Sequence, residues 1–134
     1  MPRAMHIYTY ALCALAGIVT AALFFAYPIP NWLPVVALLL LDFITENFVF
    51  ELPIAGSVSL AFAVTYAALL HSGPFAAVVC AVAGSTNMQE FREGKPMILR
   101  LFNAAQLALS AGLAGLAYSG LGGSMLSKHV GSLE

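Results

Sequence analysis

Two acidic residues, Asp42 and Glu46, stand inside the apolar segment that covers residues 34–50. Their i, i+4 spacing places both carboxylates on one face of a helix. Acidic groups inside a membrane helix are costly, so they normally face the interior of a bundle and have partners there. The pair therefore predicts a polar pocket for a small ligand, a proton- or ion-sensitive switch, or an ion-pair and amide network that fixes helix packing.

A second polar face lies on the last long apolar segment, residues 98–118. Steps of three and seven residues place its members on one side of a helix: Arg100, Asn103, Gln106 and Ser110. We expect this face to meet the face that carries Asp42 and Glu46, with Arg100 pairing with Glu46 or with Glu51. These six residues, the two carboxylates and the four on the last segment, form the candidate ligand-binding or polar-network site.

The same segment carries two ladders of small residues. The first is Ala104, Ala108 and Gly112, and the second is Ala111, Gly115 and Ser119. Small side chains let the backbones of neighbouring helices approach closely. We expect these ladders to serve packing within the chain, and contact with a second copy or with a larger membrane-protein partner stays open as the alternative.

Other residue types form no pattern typical of an enzyme or a metal centre. Cys13 and Cys80 lie in apolar runs with no second cysteine or histidine at ligand spacing, so we expect both to pack as small hydrophobic residues. The glycines near the end of the chain lack the helix and lysine that follow a phosphate-binding loop. No serine is placed with a histidine and a carboxylate. We therefore expect no enzymatic activity, no cofactor and no metal.

The composition indicates that lipid surrounds the chain. Of its 134 residues, 61% are hydrophobic and only 8% are charged, whereas a soluble domain holds about 25% charged residues. So few charges could not cover the surface against water. The net charge of -1 offers no basic surface for nucleic acid. We predict an all-α integral membrane protein whose main partner is the lipid bilayer.

Prolines and polar turns divide the chain into about five predicted transmembrane helices. They cover residues 7–26, 34–50, 58–71, 74–87 and 98–118 and form one compact bundle within residues 1–120, followed by a flexible polar tail over 121–134. Pro28 and Pro30 exclude helix, and Pro34 suits the first turn of the second helix. The third and fourth helices are short, so a re-entrant pair, or one kinked helix over 58–86 and hence four helices, stays open.

The basic residues favour five spans. With five, Arg3, Arg92, Lys95 and Arg100 fall on one side of the membrane and only Lys128 on the other. Cytoplasmic loops carry the excess of lysine and arginine, so we predict that the N-terminus and the loop over 87–100 are cytoplasmic. The C-terminus then lies outside, and a cytoplasmic effector could not follow Tyr118 directly.

Three stretches resemble the N-terminal multi-helix membrane region that precedes HD-GYP phosphohydrolase or GGDEF cyclase domains in bacterial signalling proteins. They are Leu52–Val64 (LPIAGSVSLAFAV), Ala67–Pro74 (AALLHSGP) and Leu101–Ser110 (LFNAAQLALS). Ala55 and Ala61 replace the more usual glycine and serine. The resemblance implies a sensory or anchoring input in the bacterial cytoplasmic (inner) membrane. It implies no enzymatic activity for this chain, because the effector domain of those proteins is not part of it.

We therefore expect a non-enzymatic sensory or anchoring input module of a bacterial signalling protein, truncated or standalone. A looser resemblance to the S-components of energy-coupling-factor transporters implies an alternative, a membrane subunit that binds a small molecule. Its pocket would be lined by Asp42, Glu46, Asn103 and Gln106. A third alternative is a small accessory subunit of a larger membrane complex, which needs only surfaces for helix packing.

Overall fold

The computed structural model describes residues 2–47, 50–52, 56–58, 60–86 and 92–125. Within these residues the chain forms five helices, which are α1 (Arg3–Ala26), α2 (Trp32–Glu46), α3 (Ala61–Ser72), α4 (Pro74–Gly84) and α5 (Met97–Gly120). Two short strands, β1 (Phe50–Leu52) and β2 (Gly56–Val58), pair antiparallel between α2 and α3. The predicted helical fold is confirmed, and the strand pair occupies a segment where we expected only a turn.

The second helix is shifted from its predicted bounds at both ends. It begins two residues before Pro34 because the side chain of Asn31 accepts a hydrogen bond from the Leu33 N–H, at 3.0 Å, and so caps the helix. Pro34 still lies in the first turn, as predicted. The helix ends at Glu46, earlier than predicted, and the side-chain amide of Asn47 donates to a backbone carbonyl one turn earlier.

The third and fourth helices are separate. Gly73 stands between them with φ +99°, a left-handed conformation that favours glycine, and Pro74 opens α4. The Gly73 N–H donates to the carbonyl of Leu69 at 3.0 Å and ends α3. The two helices then pack against each other as a helical hairpin. A single kinked helix over 58–86 does not occur, so five helices rather than four is the correct number for the described residues.

The two long helices, α1 and α5, pack side by side and run parallel. Near their N-terminal ends the rings of Tyr8 and Phe102 lie 6.0 Å apart. Near their C-terminal ends Gly112 faces Leu23, whose Cδ1 would lie 3.2 Å from a Cβ built on that glycine. Contacts therefore advance in the same direction along both helices, and their N-termini lie at the same end of the bundle.

The centre of the fold is α4, which packs against all four other helices. Eight of its 11 residues are buried: Pro74, Phe75, Ala76, Ala77, Val78, Cys80, Ala81 and Gly84. Phe75 and Val78 join a core shared with α1 and α5, while Ala76 and Cys80 join a second core with Val35 of α2. Because its side chains are small, α4 can stand between the other helices.

After α5 the chain turns back over the bundle. The Tyr118 hydroxyl donates to the carbonyl of Ser124 at 3.1 Å, and the side chain of Met125 packs over Gly73 at the turn between α3 and α4. Residues 126–134, the rest of the predicted tail, lie outside the described residues.

The outer faces of the helices are apolar. Only Thr9, Ala16 and Leu23 are buried in α1, while Phe25 is 80% exposed and Ile7 70% exposed. By length and composition, α1 and α5 could cross a membrane, whereas α3 and α4 are apolar but shorter. The long helices therefore present many large apolar side chains to their surroundings.

Candidate functional site

A cavity of about 340 Å³ lies between α2, α3, α4 and α5. Four helices contribute to its wall: Asp42 and Glu46 from α2; Ala61, Phe62, Thr65, Tyr66 and Leu69 from α3; Ala77, Ala81 and Gly84 from α4; and Leu107, Ser110, Ala111 and Ala114 from α5. Most of these side chains are apolar. Asp42 contacts Gly84 at the end of α4, so its carboxylate lies at the end of the cavity away from the α3–α4 turn.

Asp42 is the most unusual residue of this cavity. Its side chain is fully buried, and neither carboxylate oxygen has a hydrogen-bond partner among the residues that the structure describes. Buried polar groups are almost always hydrogen-bonded, and an isolated buried carboxylate is strongly destabilising. Asp42 therefore presents a buried carboxylate at the cavity wall whose hydrogen-bonding capacity the described residues do not use.

The close fit of Asp42 depends on a glycine in the neighbouring helix. A Cβ built on Gly84 would come within 2.5 Å of Asp42 Oδ2. Any larger residue at position 84 would therefore displace the carboxylate or the helix. Cys80, one turn earlier in α4, is also buried and free.

Two further polar groups of the predicted site line the cavity. Glu46 is half-buried one turn after Asp42, so the predicted common face of the two carboxylates is present. Ser110 lies on the opposite wall, in α5, and its hydroxyl donates to the backbone carbonyl of Gln106 at 2.8 Å. The hydroxyl oxygen of Ser110 keeps its capacity to accept a hydrogen bond from a ligand.

The other three members of the predicted site are not among the residues that line this cavity. Asn103 is half-buried and lies one turn before Leu107, beyond the end of the cavity; Gln106 is exposed, and Arg100 is half-buried. The reason is the rotation of α5, which turns its small buried residues toward α1 and α4. The pairing of Arg100 with Glu46 stays a prediction, and the side chain of Glu51, the alternative partner, lies outside the described residues.

The small residues of α5 pack within the chain. Gly112 faces Leu23 of α1 and Val78 of α4, and a Cβ on Gly115 would come within 2.5 Å of Pro74 Cβ. Ala108 is buried in the same interface, and Ala104 is half-buried beside α1. These positions bring three helix backbones close together.

Sequence reasoning missed the contribution of α4 to the site. Its residues Ala77, Ala81 and Gly84 follow the i, i+4, i+7 pattern of a small-residue ladder and form one wall of the cavity. This spacing is close to that of the small-residue ladders in α5, so the sequence of α4 carries a comparable signal. Thr65 and Tyr66 of α3 carried no comparable signal.

The cavity combines two carboxylates with a mainly apolar lining. Among the described residues, no group of three or more His, Cys, Asp or Glu side chains is placed to hold a metal ion. What the cavity presents is negative charge at one end of an apolar space. Comparison with protein-family models, with curated proteins and with solved structures finds no match for this chain.

Proposed function

We propose that this chain is a multi-pass bundle in the bacterial cytoplasmic membrane and acts as a non-catalytic sensory or anchoring input module of a signalling protein. The proposed membrane location is supported by the exposure of the two long apolar helices, α1 and α5. In the most apolar window of α1 only 17% of the residues are buried, and in that of α5 only 22%. The core helix of a soluble protein, which passes the same test of length and composition, would be mostly buried.

The lengths and surfaces of α1 and α5 support a lipid environment. Each has 24 residues, about 36 Å at the usual rise, which exceeds a hydrocarbon core of about 30 Å. Large side chains such as Ile18, Phe25 and Leu113 project from them, exposed by 67%, 80% and 57%. Soluble monomers rarely expose continuous apolar patches of this extent. In a bilayer the same faces contact acyl chains.

The parallel course of α1 and α5 supports the proposed orientation. Their N-termini share one end of the bundle, so Arg3 and Arg100 fall on the same side. Lysine and arginine mark the cytoplasmic side. If α2, α3 and α4 each cross, the total is five spans; if α3 and α4 form a re-entrant pair, it is three. Both arrangements leave the beginning of α1 and of α5 in the cytoplasm.

The cavity supports the sensory part of the proposal. A module that only anchors an effector needs no internal space, whereas a sensor needs a place where a ligand changes the packing of helices. Four helices contribute to the cavity wall. Occupation of the cavity would therefore alter contacts between helices that could transmit a signal.

The same cavity favours one second candidate, a substrate-binding subunit of a membrane transporter. Both candidates bind a small molecule, but a transporter subunit also needs energising partner chains. Native mass spectrometry of the protein, isolated from its own membrane in mild detergent, distinguishes them. Stoichiometric partner subunits would favour the transporter, and their absence with a bound small molecule would favour the sensor.

Membrane fractionation tests the shared basis of both candidates. Membranes that contain the full chain are washed with alkaline carbonate and with urea, and the pellet and supernatant are compared. We expect the chain to stay in the pellet and to need detergent for extraction. Release into carbonate, or a monodisperse protein in plain buffer, would contradict the membrane proposal.

A further inference from the structure

We infer that the cavity binds a small lipophilic amine in its cationic form, held by the carboxylate of Asp42. This inference rests on the proposed function, because it assumes a membrane-embedded bundle that receives a ligand, and it adds the chemical class of that ligand. It follows from four features of the cavity: its unpartnered carboxylate, its charge, its apolar walls and its opening.

The unpartnered carboxylate calls for a hydrogen-bond donor. Asp42 is fully buried, and both of its oxygens lack a hydrogen-bond partner within the described part of the chain. A primary ammonium group carries three N–H donors and one positive charge. It would supply the missing hydrogen bonds in their charge-assisted form, which is the stronger form.

The charge of the lining selects a cation. Asp42 and Glu46 both belong to the wall, and none of the residues that line the cavity is a lysine, an arginine or a histidine. An anionic ligand would meet the carboxylate of Asp42 and no basic side chain in the cavity wall. A cationic ligand would stabilise the ionised form of Asp42, because it brings the opposite charge to the carboxylate.

Apart from the carboxylates, the cavity wall is mainly apolar and favours a ligand with an apolar hydrocarbon or aromatic part. Leu69, Ala77 and Ala81 line one side, and Leu107, Ala111 and Ala114 line the other. A bare hydrated ion would find no oxygen ligands there, whereas a hydrocarbon or aromatic group would bury its surface favourably. The volume of about 340 Å³ lies at the lower end of ligand pockets, which span about 300–1,000 Å³. The ligand is therefore small.

Several side chains that line the cavity are exposed on the outside of the bundle. Phe62 and Tyr66 belong to the cavity wall and are 79% and 51% exposed, with their rings stacked at 6.5 Å between centroids. In a membrane this face contacts acyl chains. A lipophilic amine partitions into the bilayer and can therefore reach the cavity from its exposed side.

Equilibrium binding of radiolabelled 2-phenylethylamine to the full chain in lipid nanodiscs tests the inference. Its neutral counterpart of the same shape, 2-phenylethanol, serves as competitor. We expect saturable binding of one amine per chain, with the alcohol competing at least tenfold more weakly. Equal competition by the alcohol, displacement by sodium ions alone, or no saturable binding would overturn the inference.

Two pairs of variants locate the binding. Asp42→Asn should weaken amine binding by at least tenfold, whereas Glu93→Gln, which alters an exposed carboxylate 3.3 Å from Lys95 Nζ, should not change it. Ala114→Phe fills the cavity and should abolish binding with Asp42 in place. Ala117→Phe, at an exposed position of the same helix outside the cavity, is its control. Unchanged binding in Asp42→Asn or in Ala114→Phe would contradict the assignment.

A carbonate wash distinguishes a chain that lacks an amine site from a chain that does not lie in the membrane. The same preparation is subjected to the carbonate wash. A chain that stays in the membrane but binds no amine refutes the amine and leaves the membrane module standing. A chain that the wash releases refutes the membrane module, whatever it binds.

Discussion

At the scale of single residues, the central relationship is that between Asp42 and Gly84. The carboxylate fits against α4 only because residue 84 has no side chain. The sequence predicted that Asp42 and Glu46 share a face. It could not predict Gly84 as the contact, because that contact depends on how far α4 is rotated and translated against α2.

Replacing Gly84 with alanine should destabilise the bundle. The new Cβ would collide with Asp42 Oδ2, and overpacking of this kind costs about 1–3 kcal/mol. Thermal unfolding in detergent measures the effect. In an Asp42→Ala background the cost of the same substitution should shrink, because the colliding carboxylate is gone.

Gly17→Ala is the matched control for this prediction. Gly17 is a helical glycine of α1 with open space where a Cβ would stand, so alanine there should be neutral or stabilising by up to about 1 kcal/mol through helix propensity. If Gly84→Ala costs no more than Gly17→Ala, the close packing of Asp42 on α4 is refuted.

The predicted pairing of Glu46 with Arg100 is tested by a double-mutant cycle. Glu46→Gln and Arg100→Met are made singly and together, and the free energies of unfolding are compared. Directly interacting residues show coupling energies of about 0.5–3 kcal/mol. The exposed Glu93–Lys95 ion pair, at 3.3 Å, is the comparison and should couple by no more than about 1 kcal/mol. Strictly additive effects of Glu46→Gln and Arg100→Met would show that the two side chains do not interact.

At the scale of secondary-structure elements, the sequence predicts the five helices but not the strand pair between α2 and α3. Prolines and glycines marked most boundaries, since Pro28, Pro30 and Gly73 cannot lie inside a regular helix without cost. The strands β1 and β2 have three residues each. Three residues are too few for an alternation of polar and apolar residues to indicate a strand, so the pairing is not predictable from the sequence.

The rotation of α5 explains why only part of the candidate site was predicted. Its sequence offers a polar face and a small-residue face, and both are plausible interior faces. In the structure the small-residue face of α5 is the buried one, because Leu23 packs closely against Gly112 and Pro74 packs closely against Gly115. Ser110 still reaches the cavity, whereas Gln106 is turned to the outside.

The parallel packing of α1 and α5 predicts a specific cross-link. In a background with Cys13 and Cys80 replaced by alanine, Tyr8→Cys and Phe102→Cys should be joined by a short bismaleimide cross-linker, because the native side chains pack with ring centroids 6.0 Å apart. Gel mobility after cleavage of the loop between α4 and α5 reports the link. Tyr8→Cys with Leu116→Cys is the control and should stay unlinked. A link in the control pair alone would show that the helices run antiparallel.

At the scale of the whole molecule, the long helices expose apolar side chains, while the carboxylate of Asp42 is buried inside the bundle. Composition alone predicted lipid as the surrounding medium, because 8% charged residues cannot solvate a surface in water. The cavity was not predictable in the same way. It exists because four helices contribute residues to one space, and their mutual spacing is set by packing throughout the bundle.

The proposed function depends most on how the whole bundle is oriented in the membrane. Single cysteines at Lys95 and at Leu121, both exposed positions, are placed in the cysteine-free chain and treated with a membrane-impermeant maleimide in intact spheroplasts. We predict that the cysteine at 121 is labelled at once and the cysteine at 95 only after permeabilisation. Labelling of both positions from the same side, or of position 95 alone in intact spheroplasts, would contradict the proposed orientation.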